Sequence, residues 1–309
     1  MRYLFFLFTL LFTTTLCSQN RRDILIHDSI QPILYNFNKY KEVKRLVLSL
    51  EKEFGKEPSF RYKLLNQSYV NNDIPFFKSN LTDLVKNYGV NINYFSENEH
   101  YFHAITKGEL SIWFKKMYLK NHFIWMKNNF DKQRDLKKIN EIYTKDQLVN
   151  GQYAKIDQHL SLDSLQKSKL DKLLGDFFLS NVENLKILSE KIDTYPTAKN
   201  FAIVQNGLAT AELHLLQSSN EILTEYWNTF FNYYKKAYLK NEMDYMIFKN
   251  YDLFHYVKNG TQVFGLLEPS PELENFLDKK IDSIPIEDEN YKKRIQEELG
   301  WNNHKMQQD

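Results

Sequence analysis

An all-α fold is what this sequence predicts, and three observations predict it. The 309 residues include only nine Gly and seven Pro, together about 5% of the chain against roughly 12% in average proteins. That scarcity disfavours turn-dense β sandwiches, collagen and Gly-rich phosphate loops. Apolar residues recur at helical spacing, with capping residues before the runs and Gly after them. No strand-like alternation of useful length occurs.

Residues 1–18 read as a secretory signal peptide. Arg2 supplies a short positive start, Tyr3 to Phe12 is apolar apart from Thr9, and mostly small residues from Thr13 to Ser18 lead to polar Gln19 and Asn20. The apolar run is shorter than the about 20 residues that a helix needs to cross a bilayer. The expectation is therefore an exported chain, in the periplasm or cell envelope, with no transmembrane span once the leader is removed. One alternative is a lipoprotein anchored at Cys17, although Leu16 stands where a lipidation site resembles a small residue. Removing 1–18 also removes Arg2 and the single Cys, lowering the net charge from +2 to +1. Thiolate nucleophiles, Cys-ligated zinc and disulfides are then excluded. Lys plus Arg (41) and Asp plus Glu (39) are mixed along the chain, so no nucleic-acid partner is expected.

Residues 19–100 carry an internal repeat. A shift of 34 residues superposes Leu34 to Gly55 on Ser68 to Gly89, matching Val43 with Phe77, Val47 with Leu81, Leu50 with Leu84 and Phe54 with Tyr88. Val43, Val47, Leu50 and Phe54 lie on one helical face, and the Gly after each run is a helix stop. Turns are expected at Asn38-Lys39-Tyr40 and Asn72-Asp73-Ile74. This period resembles a degenerate tetratricopeptide repeat, which implies stacked helical hairpins and a protein or peptide partner. Phe102 to Asn121 is then an eroded third unit or a cap.

Residues 101–139 read as linking helices, aromatic and basic, with Trp113, Phe114, Tyr118, Phe123, Trp125 and Phe130. A surface of that composition could stack ligands or sit on a membrane, but no clean polar face is visible, which favours a buried linker. His100 and His103, with Glu97 and Glu99 beside them, have the i, i+3 spacing of a metal pair. Two His without a third ligand read as solvated or capping residues, so no metal and no cofactor are expected.

Residues 140–309 predict a helical domain. Asp163-Ser164-Leu165-Gln166 has the form of a capping box, and an apolar face runs through Leu170, Leu173, Leu174, Phe177, Phe178, Val182 and Leu185 to a stop at Pro196. Further helices are expected at about 202–218 and 221–241, the last with a core stripe of Trp227, Phe230, Phe231, Tyr234 and Tyr238. Asp146-Gln147, Asn184-Leu185, Pro196-Thr197, Leu216-Gln217, Asp252, Gln262-Val263-Phe264-Gly265 and Arg294 before Leu299-Gly300 follow one another in an order that resembles the bacterial domain of unknown function 6624. The resemblance implies a polar cluster of Asp146, Gln217, Asp252 and Gln262. A second register would instead place Gly260-Thr261-Gln262 on the family's Gly-Thr-Gln. The family's His and Arg are replaced by Ser218 and Leu253, and His214 and His255 are the neighbours able to supply an imidazole.

No Gly-x-Ser-x-Gly, His-Glu-x-x-His or Walker motif occurs. Three function classes remain: an exported, non-catalytic binding or scaffold protein, an enzyme of acid-base or hydrolytic chemistry using the Asp/Gln cluster, and a carbohydrate- or lipid-binding module.

Overall fold

The computed structural model describes residues 21–201 and 208–301; the signal peptide expected at 1–18, with Cys17, lies outside them. The fold is all-α. Among the described residues the only β pairing is an isolated bridge between Gln262 and Ile286. The chain divides into two compact units, one of residues 22–138 with 196–201, the other of 139–195 with 208–301.

In the N-terminal unit a π-helical stretch, Leu25–Ile30, and 3-10 turns at Gln31–Ile33 and Phe37–Lys39 lead into α1 (Tyr40–Phe54), α2 (Pro58–Val70) and α3 (Ile74–Tyr88). Helices α1 and α3 begin 34 residues apart, and each ends at a Gly. Val43, Val47 and Leu50 of α1 and Phe77, Leu81 and Leu84 of α3 are all fully buried. Each contributes about 1.5–3 kcal/mol. Helix α2 lies in both clusters: Phe60 and Leu64 join the α1 side chains, whereas Tyr62 and Leu65 join those of α3. The expected turn at Asn72 is present, with Asn72 in the left-handed region at φ 56°. Asp73 caps α3 by accepting from the Phe76 amide. The segment before α1 departs from the expectation of two equal hairpins, because π and 3-10 geometry replaces a regular second helix there.

Short α4 (Phe102–Thr106) and long α5 (Ser111–Asn128) share a core with α3. Tyr101, Ile105, Phe114 and Met117 belong to the cluster of Leu81 and Leu84. Residues 101–128 are thus part of this unit's core, and only one face of α5 is buried. Gly89, at φ 64°, ends α3 where the Trp125 indole lies 2.5 Å from the position a Cβ would take. A left-handed cap and a close ring both require glycine here.

Helix α6 (Phe130–His159) continues from one unit into the other. In the C-terminal unit, α7 (Ser164–Asn181) starts with the expected capping box of Asp163 and Gln166. The single helix expected up to Pro196 is corrected: the chain bends at Val182, and α8 (Glu183–Ile192) ends on left-handed Asp193. Leu173 is exposed, so the apolar face is narrower than its sequence suggests. After α9 (Ala198–Phe201), which belongs to the first unit, come α10 (Leu208–Gln217), α11 (Asn220–Leu239), α12 (Met246–Asn259), α13 (Pro271–Leu277) and α14 (Glu289–Leu299). The stripe of α11 is core: Trp227 stacks on Tyr251 at 4.0 Å between ring centroids, and Phe264 packs against Phe231, Phe248 and Trp301.

Candidate functional site

Asp146 sits in the middle of α6 and is fully buried. Both of its carboxylate oxygens lie 2.9 Å from Nδ1 of His214 on α10, and Gln147 donates to Oδ2 at 2.9 Å. A proton on Nδ1 satisfies the carboxylate and leaves Nε2 as the other ring nitrogen. The Asn150 amide lies 2.8 Å from Nδ1; turned with its oxygen inward it accepts from the same proton. Phe178 stacks on the imidazole at 5.6 Å, and a quarter of the His214 side chain is exposed. This is an oriented acid-base pair, with the carboxylate holding the ring.

The other members of the expected cluster do different work. Asp252 on α12 is also fully buried, but its acceptors face backbone: Oδ1 takes the Val263 and Phe264 amides at 2.8 and 2.9 Å, and Oδ2 takes Leu266 at 3.0 Å. Burial raises its pKa, and the three amide bonds work against that rise. Gln262 closes the same loop, donating to the carbonyls of Leu267 and Ile284 and accepting from the Leu267 amide. His255 sets its Nδ1 2.9 Å from the Thr261 carbonyl, with Nε2 3.4 Å from Glu287. Gln217, the last residue of α10, is exposed. Ser218 donates to the His214 carbonyl at 2.7 Å, so its hydroxyl bonds to backbone, not to the imidazole. Asp146 thus shares no hydrogen-bonding partner with Asp252 or Gln262.

A further buried carboxylate, beside Asp146 and Asp252, has no counterpart among the residues expected from the sequence. Glu212, two residues before His214, accepts from the hydroxyls of Tyr195, Tyr226 (3.1 Å) and Tyr234 (2.7 Å). Burial raises its pKa, and the three tyrosine bonds oppose the rise. The sequence signal was a lone acidic residue inside the apolar run of α10, but its partners come from 14 to 22 residues away.

The N-terminal unit carries two open furrows that share Asn72. One, of about 630 Å³, is lined by Tyr40, Lys41, Lys44, Arg45, Leu48 and the Asn71–Asp73 turn. The other, of about 690 Å³, is lined by Tyr69, Val70, Ile74, His100, Glu109 and Leu110. Lys44 is held, since Asp73 accepts from it and from the Tyr40 hydroxyl at 2.7 Å each. Against burial, these bonds and the Phe76 amide keep the Asp73 carboxyl below its usual range. Lys41 and Arg45 are exposed and have no ion-pair partner among the described residues. His100 stacks on Phe37 at 5.4 Å, and no group of three or more metal-ligating side chains is found among the described residues.

No family model, no curated protein and no solved structure matches this chain.

Proposed function

We propose that this chain is an exported helical binding protein, non-catalytic, whose N-terminal unit takes an extended acidic peptide across the turn between α2 and α3. The observation that carries the reading is the pair of furrows meeting at Asn72, with Lys41 and Arg45 unpaired on one of them. A carboxylate in that furrow meets two cations one helical turn apart, and Leu48, Val70 and Ile74 offer apolar area to the neighbouring side chains of the peptide. The 34-residue register, read as a degenerate tetratricopeptide repeat, supports the same kind of partner. The ordered motifs of residues 140–301 support a distant kinship of the C-terminal unit with the domain of unknown function 6624. The leader-like pattern of residues 1–18 supports export, and protein purified from its native host is expected to begin near Ser18 to Asn20.

The test is a calorimetric titration of the full chain with a decapeptide of alternating Glu and Leu, and with its Lys and Leu counterpart. The acidic peptide binds and the basic one does not. Equal binding of both peptides, or of neither, removes the reading.

One observation favours a second reading, an enzyme of acid-base chemistry: the Asp146–His214 pair is oriented, and its ring is partly exposed. A general base of this kind typically contributes 10² to 10⁴ in rate. Turnover of any hydrolysable substrate that falls by about that factor in Asp146→Asn, with the fold intact, would establish it.

A further inference from the structure

Helix α5 has a second face that is left uncovered among the described residues of the N-terminal unit. Phe114, Met117, His122 and Trp125 point into the core, whereas Ile112, Leu119 and Phe123 are 85%, 57% and 60% exposed. At 3.6 residues per turn these three fall within an arc of about 40°, a narrow apolar line about 16 Å long. Lysines border it on both sides: Lys116, Lys120 and Lys127 on one flank and Lys115 on the other, all exposed. No Asp or Glu occurs anywhere in Ser111–Asn128. Phe130, 71% exposed, follows two residues after the helix; of the carboxylates flanking it in sequence, Glu109 accepts from the Tyr69 hydroxyl and Asp131 is paired with Arg134.

An apolar line between rows of lysine, with no acid, is the pattern of a helix that lies in a lipid interface. The apolar side chains enter the boundary between headgroups and acyl chains, and the lysine stems extend along it while the ammonium groups reach the phosphates. Charge decides among the occupants. A second copy of this face would bring eight ammonium groups together without a single carboxylate from either helix, so self-association through it is repelled. An anionic bilayer supplies the missing counter-charge over a flat area. Contact is with the surface, because no helix among the described residues is long and apolar enough to cross a membrane.

We infer that α5 docks this protein on an anionic lipid surface, with Ile112, Leu119 and Phe123 inserted and Lys115, Lys116, Lys120 and Lys127 on the headgroups. The surface is separate from the furrows at Asn72, so either assignment can fail alone.

The test is flotation of the full chain with vesicles of phosphatidylcholine alone or mixed with phosphatidylglycerol. Every variant keeps residues 1–18, so the differences between variants report on α5. The chain binds the mixed vesicles more tightly and is released by salt. Replacing Lys116, Lys120 and Lys127 by Gln weakens binding on the order of a hundredfold, since each lysine near the surface contributes about fivefold. Leu119→Gln with Phe123→Gln weakens it as well, with unchanged thermal unfolding. In a Cys17→Ser background, an environment-sensitive dye on Leu119→Cys shifts to the blue with mixed vesicles, and the same dye on Ile187→Cys does not. The inference is overturned by equal binding to both vesicle types, by glutamine variants that bind like the parent, or by a dye at position 119 that ignores lipid. It is overturned equally if that dye responds to protein concentration alone, which makes the face a dimer contact, or to a soluble acidic protein but not to lipid.

Discussion

The polar side chains at the centre of the C-terminal unit and those along the N-terminal furrow differ in what they are bonded to. In the C-terminal unit Asp252, Gln262 and Glu212 are buried, and each is tied to groups of the protein itself: backbone amides and carbonyls for the first two, three tyrosine hydroxyls for the third. Along the furrow Lys41 and Arg45 are exposed with no ion-pair partner among the described residues. A buried polar atom whose bonds are all internal specifies the fold. A charge that the fold leaves unpaired at a concave surface is what a ligand can meet. Asp252 and Gln262, which in the sequence resembled active-site residues, organise a loop, whereas the recognition proposed above rests on charges that the fold leaves unpaired in the other unit.

The largest effect is expected at Asp252. Asp252→Ala strips the acceptor from three amides, each worth about 1–3 kcal/mol when left unsatisfied, so chemical denaturation should show a loss of about 3 kcal/mol or more. A loss below about 1 kcal/mol would mean that the loop is held by something else. Asp146 should respond differently although it is equally buried. Asp146→Asn is expected to cost about 1–2 kcal/mol and to release the preference for a proton on Nδ1 of His214, which nitrogen-15 chemical shifts of the ring report. An unchanged tautomer would break the assignment of Asp146 as the group that orients the ring.

Glu212 gives a smaller, pH-dependent effect. Its pKa is raised above the ordinary value near 4.5, so the folded state holds the proton more tightly than the unfolded chain does. Its contribution is therefore fully present below that ordinary value and is lost as pH rises through the raised one. Glu212→Gln cannot ionise, and its unfolding free energy should decline less than that of the parent over this interval. A steeper decline in the variant would reverse the direction assigned to Glu212, a rise imposed by burial and only partly offset by the three tyrosine hydroxyls.

The legible parts of the sequence were those with a one-sided pattern. Helices α1 and α3 could be read because Val43, Val47 and Leu50, and 34 residues later Phe77, Leu81 and Leu84, mark one face that closes on a Gly. Helix α2 offered no such pattern, since Phe60 and Leu64 bury one side while Tyr62 and Leu65 bury another. The break at Val182 has neither Gly nor Pro to announce it. In the site, His214 was within view as a neighbour of Ser218, but its partner Asp146 lies 68 residues earlier. The tyrosine cage was hidden for the same reason: apolar spacing identifies a core stripe and says nothing of where its hydroxyls point. Asp252 and Gln262 could be picked out as polar residues in a helical core, yet their use as anchors for a loop depends on backbone amides, which carry no residue identity.

The smallest stability effect accompanies the most direct test of the central claim. Lys41→Glu with Arg45→Glu alters two exposed charges on α1 and should leave unfolding within about 0.5 kcal/mol of the parent. Titration of that double variant with the decapeptide of alternating Glu and Leu is the decisive measurement. The account predicts that the parent binds and that the variant loses at least about tenfold in affinity, equivalent to about 1.4 kcal/mol. Undiminished binding by the variant would contradict the account.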